Sequence, residues 1–146
     1  MGVGHVPQDP VHPPGEGADV QGRQRGGASA AGALTPSQAR GRFGEDLAAR
    51  WYVRHGFEVV ARNWRCPTGE LDLVLRRDHL LVFCEVKARA TGGFGGPEAA
   101  VDHRKQRRVR ALAAAWLAAN RPGQVEVRFD VAAVTGGRIV VLEAAF

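Results

Sequence analysis

The sequence predicts an α/β protein built on one mixed sheet with helices packed on its faces. Three observations predict it. Apolar residues recur at helical spacing in two separated stretches, around Phe43–Trp51 and Val101–Leu117. Between and after them, apolar residues alternate or run together over strand lengths. Gly, Pro and Asp clusters punctuate the boundaries, which gives the order α-β-β-β-α-β-β.

The first helix begins near Thr35-Pro36-Ser37, where Thr35 can cap and Pro36 fits the first turn, and Gly56 is placed to end it. Phe43, Leu47 and Trp51, with Val53 off by one, form its predicted apolar face. Phe57 to Ala61 reads as a strand, and Arg65-Cys66-Pro67-Thr68-Gly69 as a turn. Leu71, Leu73 and Leu75 then alternate with Glu70, Asp72 and Val74 at a period of two. Arg77-Asp78-His79 is a short connection to the strand Leu80 to Val86, so three strands form an antiparallel meander. Ala90 to Pro97 is Gly-rich, and Phe94 within it is placed to contact a substrate. A helical pattern runs from Glu98 to Asn120 with a break near Asp102, and Arg121-Pro122-Gly123 stops it. Val125 to Val134 and Arg138 to Leu142 are the last strands, separated by Gly136-Gly137.

The 146 residues suit one domain with a hydrophobic core. The first 34 hold eight Gly and four Pro without apolar periodicity, so residues 1–36 read as a disordered extension and 37–146 as the folded domain. The longest uncharged apolar run, Ala111 to Ala119, falls far short of the ~20 residues that cross a bilayer. No membrane span is expected. Two cysteines make no disulfide framework, and the N-terminus lacks a signal pattern, so a cytoplasmic protein is expected. Residues 1–39 carry a net charge of −1, which leaves +6 for the rest. A polyanionic partner accounts for that excess, and so does solubility alone.

Eighteen of the 20 basic residues are Arg, and the two lysines are Lys87 and Lys105. In a chain so biased, lysine marks places where a compact ammonium of adjustable pKa is needed rather than a guanidinium. Glu85 and Lys87 share one face of their strand, as Glu70 and Asp72 do of theirs. If the hairpin pairs these strands, Asp72 and Glu85 converge at ~5 Å. Carboxylates among Leu71, Leu73, Val82, Phe83 and Val86 are costly unless paired or metal-bound. Their hard oxygens favour magnesium or manganese. Spacing alone leaves open whether they form a metal site or ion pairs with Lys87. Arg104, Lys105, Arg107, Arg108 and Arg110 place five cations in seven residues, a set suited to gripping phosphates, with Lys105 turned about 100° from Arg104. The scattered histidines make no zinc pattern, and Gly92 to Gly96 lacks the ending of a nucleotide-binding loop. Trp51, Trp64 and Trp116 read as packing residues, and Cys84 as a core strand residue.

Asp72 followed by Glu85-Val86-Lys87 on the next strand resembles the PD-(D/E)xK signature of restriction-endonuclease-like nucleases, with Leu71 where the proline usually stands. Gly41-Arg42-Phe43-Gly44-Glu45, Arg62-Asn63-Trp64-Arg65, Gly69 to Val74, Phe94 to Pro97, Arg104 to Arg108, Phe129-Asp130-Val131 and Ala145-Phe146 narrow the likeness. Over about residues 37–146 the chain resembles the uncharacterised bacterial YraN-type family, grouped with Holliday-junction-resolvase-like domains of that superfold. The resemblance implies Asp72 and Glu85 as metal ligands, Lys87 as the catalytic lysine and Glu45 as a further acid holding metal through water. It implies a magnesium- or manganese-dependent nuclease acting on DNA, including branched or recombining structures. Arg104, Lys105, Arg107 and Arg108 would hold the backbone. The rival from another class is a nucleic-acid-binding module of the same fold without turnover. A protein-interaction domain is a third reading, and a homodimer is open, since two-fold dimers are common among nucleases that cut two strands.

Overall fold

In the computed structural model, which describes residues 32–90 and 101–146, five strands form one sheet in the order β1-β2-β3-β4-β5. The expectations for the N-terminal extension (save its last residues), for Phe94 and its glycines, and for a helical start at Glu98 lie outside the described residues.

Helix α1 spans Pro36–Arg54. The Thr35 hydroxyl accepts from the Gln38 N–H at 3.1 Å while the Gln38 side chain accepts the Thr35 N–H at 3.0 Å, a reciprocal cap that satisfies two otherwise orphaned donors. His55 closes the helix and Gly56 follows it at φ 84°, a left-handed turn natural to glycine. The buried face is Gly44, Ala48, Ala49 and Tyr52, not the predicted stripe, and Phe43 is 48% exposed. Small residues win that face because the helix lies almost against the sheet. A Cβ built on Gly44 would stand 2.8 Å from Ala88 Cβ and 3.5 Å from Val86 Cγ1.

β1 (Glu58–Cys66) and β2 (Gly69–Arg77) pair antiparallel from Glu58↔Arg76 to Cys66↔Gly69. Arg65 and Cys66 therefore belong to the strand rather than the predicted turn. The ladder runs to its tip because Gly69, at φ 151°, lets the chain reverse at Pro67-Thr68. β2 pairs antiparallel with β3 (Leu80–Arg89), as the meander required. From β3 the chain crosses through helix α2 (His103–Asn120) to β4 (Glu126–Thr135), which pairs parallel with β3 along its whole length. β5 (Arg138–Leu142) returns antiparallel along the other edge of β4. Asp102 is the cap of α2, its carboxylate accepting the Lys105 N–H at 2.8 Å, which explains the predicted break there.

The two helices cover opposite faces. Ala48, Tyr52, Leu73, Leu75, Val82 and Cys84 pack under α1. Leu71, Val74, Leu81, Phe83, Leu112 and Trp116 pack under α2. Trp116 meets Phe83 edge-on, and Trp51 and Trp64 lie partly buried at the margins of these cores, so all three tryptophans pack. Asp130 is fully buried under α1, but its carboxylate accepts from the Tyr52 hydroxyl at 2.7 Å, from two Arg128 nitrogens at 2.9 and 2.8 Å, and from the Ala144 N–H at 3.0 Å. Such saturation makes a buried charge tolerable. Ala33–Phe146 forms one compact unit, and among the described residues no helix is long and apolar enough to cross a membrane.

Candidate functional site

The β2–β3 ladder runs from Arg77↔Leu80 to Leu73↔Cys84 and stops. One residue further, the Asp72 carboxylate accepts the Val86 N–H at 2.8 Å, a side chain standing where a strand carbonyl would otherwise be. The strict alternation expected along β2 slips here, for Leu71 packs under α2 whereas Leu73 packs under α1. The slip has a partner on β1. Asn63, between the pairs Arg62↔Leu73 and Trp64↔Leu71, stands opposite Asp72 with φ 49°, a conformation asparagine tolerates better than most residues.

Four elements converge on this opening. β2 supplies Asp72. β3 supplies Glu85 and Lys87, which by alternation share the α2 face with Leu81 and Phe83. α1 supplies Glu45, next to the close-packed Gly44, and the Asn63 amide donates to the Glu45 carboxylate at 2.9 Å. α2 supplies Lys105 from its first turn, its Nζ 2.5 Å from Glu85 Oε1. Glu85 is nearly buried, its side chain 11% exposed.

Three carboxylates and two ammonium groups thus stand close together in a partly buried space, and the shifts at Asp72, Lys87 and Lys105 show the crowding. Burial, then the adjacent Glu85 carboxylate and more distantly Glu45, drive the Asp72 carboxyl from 3.8 up to about 7, against the stabilising Val86 N–H. Burial and the neighbouring Lys105 ammonium pull Lys87 below the ordinary lysine value, only partly offset by Glu85 and Asp72. Burial works against the Lys105 charge as well, but its contacts with Glu85 and Lys87 outweigh it, so Lys105 holds its proton more tightly than a free lysine. The two side-by-side lysines are therefore unequal: one carries the charge, and the other yields its proton more easily.

The donor set fits a small hard cation. Asp72 and Glu85 offer carboxylate oxygens side by side, Glu45 stands near, and magnesium characteristically takes one or two carboxylates while keeping several waters. Among the described residues no three or more His, Cys, Asp or Glu stand close enough together to hold a metal ion on their own. Asp72, Glu85 and, with water, Glu45 are the residues that would hold such an ion.

Of the residues singled out from sequence, Glu45, Asp72, Glu85, Lys87 and Lys105 come together. Arg104 and Arg107 are exposed on α2. Arg108 leans over the β1–β2 hairpin, its Nη2 3.0 Å from where a Gly69 Cβ would lie, at the end of β2 from which Asp72 projects. Lys105, grouped by sequence with the phosphate-gripping arginines, instead binds Glu85. Glu70 stays outside, paired with Arg65 at 2.9 Å. Asn63 was not singled out for a role, and its only signal was its place in the Arg-Asn-Trp-Arg string.

Fold and site together define a small α+β domain with a carboxylate–lysine cluster where two strands part. The model of the uncharacterised protein family UPF0102 matches residues 44–134, which span every element that builds the cluster. The chain belongs to that family. It is 54% identical over 101 residues to a UPF0102 protein of Beutenbergia cavernae, covering 69% of this chain and 86% of that one. A relative from Parafrankia sp. is 52% identical over 99 residues (67% and 83%), and one from Acidothermus cellulolyticus 48% identical over 114 (71% and 86%).

Proposed function

We propose that the chain is a metal-dependent nuclease, hydrolysing phosphodiester bonds of DNA and suited to branched or recombining structures. The observation that carries this reading is the meeting of Asp72, Glu85 and Lys87 at the point where β2 and β3 part, an arrangement that resembles the PD-(D/E)xK nucleases. A divalent cation held by the two carboxylates would offset charge on the scissile phosphate and lower the pKa of a bound water. Lys87 Nζ, which holds its proton less tightly than a free lysine, is placed to orient that water or take its proton. Glu45, steadied by Asn63, would hold water on the α1 side. Arg104, Arg107 and Arg108 crowd the first turns of α2, where the helix dipole already favours anions over cations. That arrangement gains nothing for the helix alone and suits a phosphate backbone. Free thiols at Cys66 and Cys84 fit a cytoplasmic location.

A second reading, a nucleic-acid-binding module without turnover, draws on one specific contact: the Lys105 ammonium already neutralises Glu85. The two readings separate in a cleavage assay with magnesium and manganese on single-stranded, duplex, flapped and four-way-junction DNA and on RNA. The nuclease cuts at least one of these, and identically purified Asp72→Asn protein does not. Salt-dependent binding without cutting supports the module.

A further inference from the structure

The chain contains eighteen arginines and two lysines, and the fold brings both lysines to one carboxylate pair. Lys87 reaches it along β3. Lys105 arrives from the opposite wall, and its Nζ is in ion-pair contact with Glu85 Oε1, both side chains being substantially shielded, 34% and 11% exposed. That contact takes up one oxygen of the carboxylate that, with Asp72, would hold a divalent cation. An ammonium and a divalent cation drawn to the same carboxylate repel one another, so each weakens the other's hold on it.

The residue type is informative. A guanidinium would grip Glu85 with two parallel hydrogen bonds and hold it, whereas an ammonium on a flexible stem makes a single point contact and can leave. Everywhere else that this chain needs a cation it uses arginine, except at Lys87. The tethering is also suited to exchange. The Lys105 backbone is fixed by the Asp102 cap, so only the side chain has to move. Its neighbours Arg104 and Arg107 are exposed and leave Lys105 the basic residue of that turn that reaches the carboxylates.

Resting on the nuclease reading, we infer that Lys105 is the resident counter-cation of the Asp72–Glu85 pair: it competes with the divalent cation for Glu85, and metal loading requires its ammonium to leave. Lys105 is thereby a positioning residue that acts through Glu85.

Manganese binding by the full chain, followed by electron paramagnetic resonance at fixed pH and without nucleic acid, tests this directly. Lys105→Met removes the charge and keeps most of the stem. It binds Mn2+ more tightly than the wild type by a factor of about ten, the usual scale of coupling between competing ligands. Lys105→Gln does the same, which guards against a folding defect in one variant. Lys105→Arg, with its firmer grip, binds no tighter than the wild type; a purely structural lysine would give no such ordering. Unchanged or weaker Mn2+ binding in both neutral variants overturns the inference. If Asp72→Asn abolishes binding in that case, the metal site stands and only the competition fails. If Asp72→Asn binds Mn2+ as the wild type does, the metal site fails and the competition with it.

Discussion

At the scale of single residues the cluster is defined by Asp72. Its carboxylate serves two demands at once, closing the backbone ladder at Val86 N–H and facing Glu85. The second demand is unfavourable in the metal-free protein, and the sign follows from the titration. Below about pH 3 the carboxyl is neutral in the folded and unfolded chains alike. Between there and about pH 7 the unfolded chain ionises while the folded one keeps its proton, so stability falls as pH rises; above about 7 the full cost is present and constant. Asp72→Asn retains an acceptor for Val86 N–H and removes the charge. Metal-free Asp72→Asn protein should therefore exceed the wild type in stability at pH 8, by on the order of 4 kcal/mol, and come close to it at pH 3. Urea denaturation at the two pH values measures this, and a difference between variant and wild type that is the same at both would contradict the crowding. Asp72, Glu85 and Lys87 were legible in the sequence because charges in apolar strands are conspicuous. Asn63 was not, since its role depends on a left-handed backbone and on register with Asp72, and neither leaves a compositional trace. Lys105 was visible as one of two lysines, but its direction depended on where α2 docks.

At the scale of elements, the site depends on how closely α1 lies on β3. Gly44 permits that approach, and it is the neighbour of Glu45. Gly44→Ala drives a methyl into Ala88, and the helix must back away, at a cost of about 1–3 kcal/mol. Gly41→Ala, in the same helix but with nothing within 4 Å of the added methyl, should instead stabilise by about 0.5–1 kcal/mol through helix propensity alone. Thermal or denaturant midpoints of the two variants move in opposite directions if α1 packs as described, and in the same direction if it does not. The order of the elements and most of their bounds could be read from periodicity and turn residues, since both are local. The buried face of α1 could not. Hydrophobicity pointed to Phe43, whereas close approach to a sheet selects Gly44 and Ala48, a requirement set by the partner rather than by the helix.

At the scale of the whole molecule, the sheet order joins parts that are distant in the chain. Because β4 pairs parallel with β3, the intervening helix must cross one face of the sheet, and that crossing brings the first turn of α2 over Glu85. The meander of β1 to β3 brings Asn63, Asp72 and Glu85 to one end, and α1 closes the other face with Glu45. The parallel pairing was not readable from sequence, which showed a mixed sheet without an edge-to-edge order. Residues 40–146 carry a net charge of +6, which in the proposed reading would draw a phosphate backbone toward the cluster. Single-turnover cleavage by Lys87→Ala protein at saturating concentration, set beside its binding of the same DNA, is the measurement that tests whether the cluster performs this chemistry. The proposed mechanism predicts a loss of ~100-fold or more in the cleavage step with binding retained. Cleavage equal to that of the wild type would contradict it, leaving Lys87 an ion-pair partner in a structural cluster.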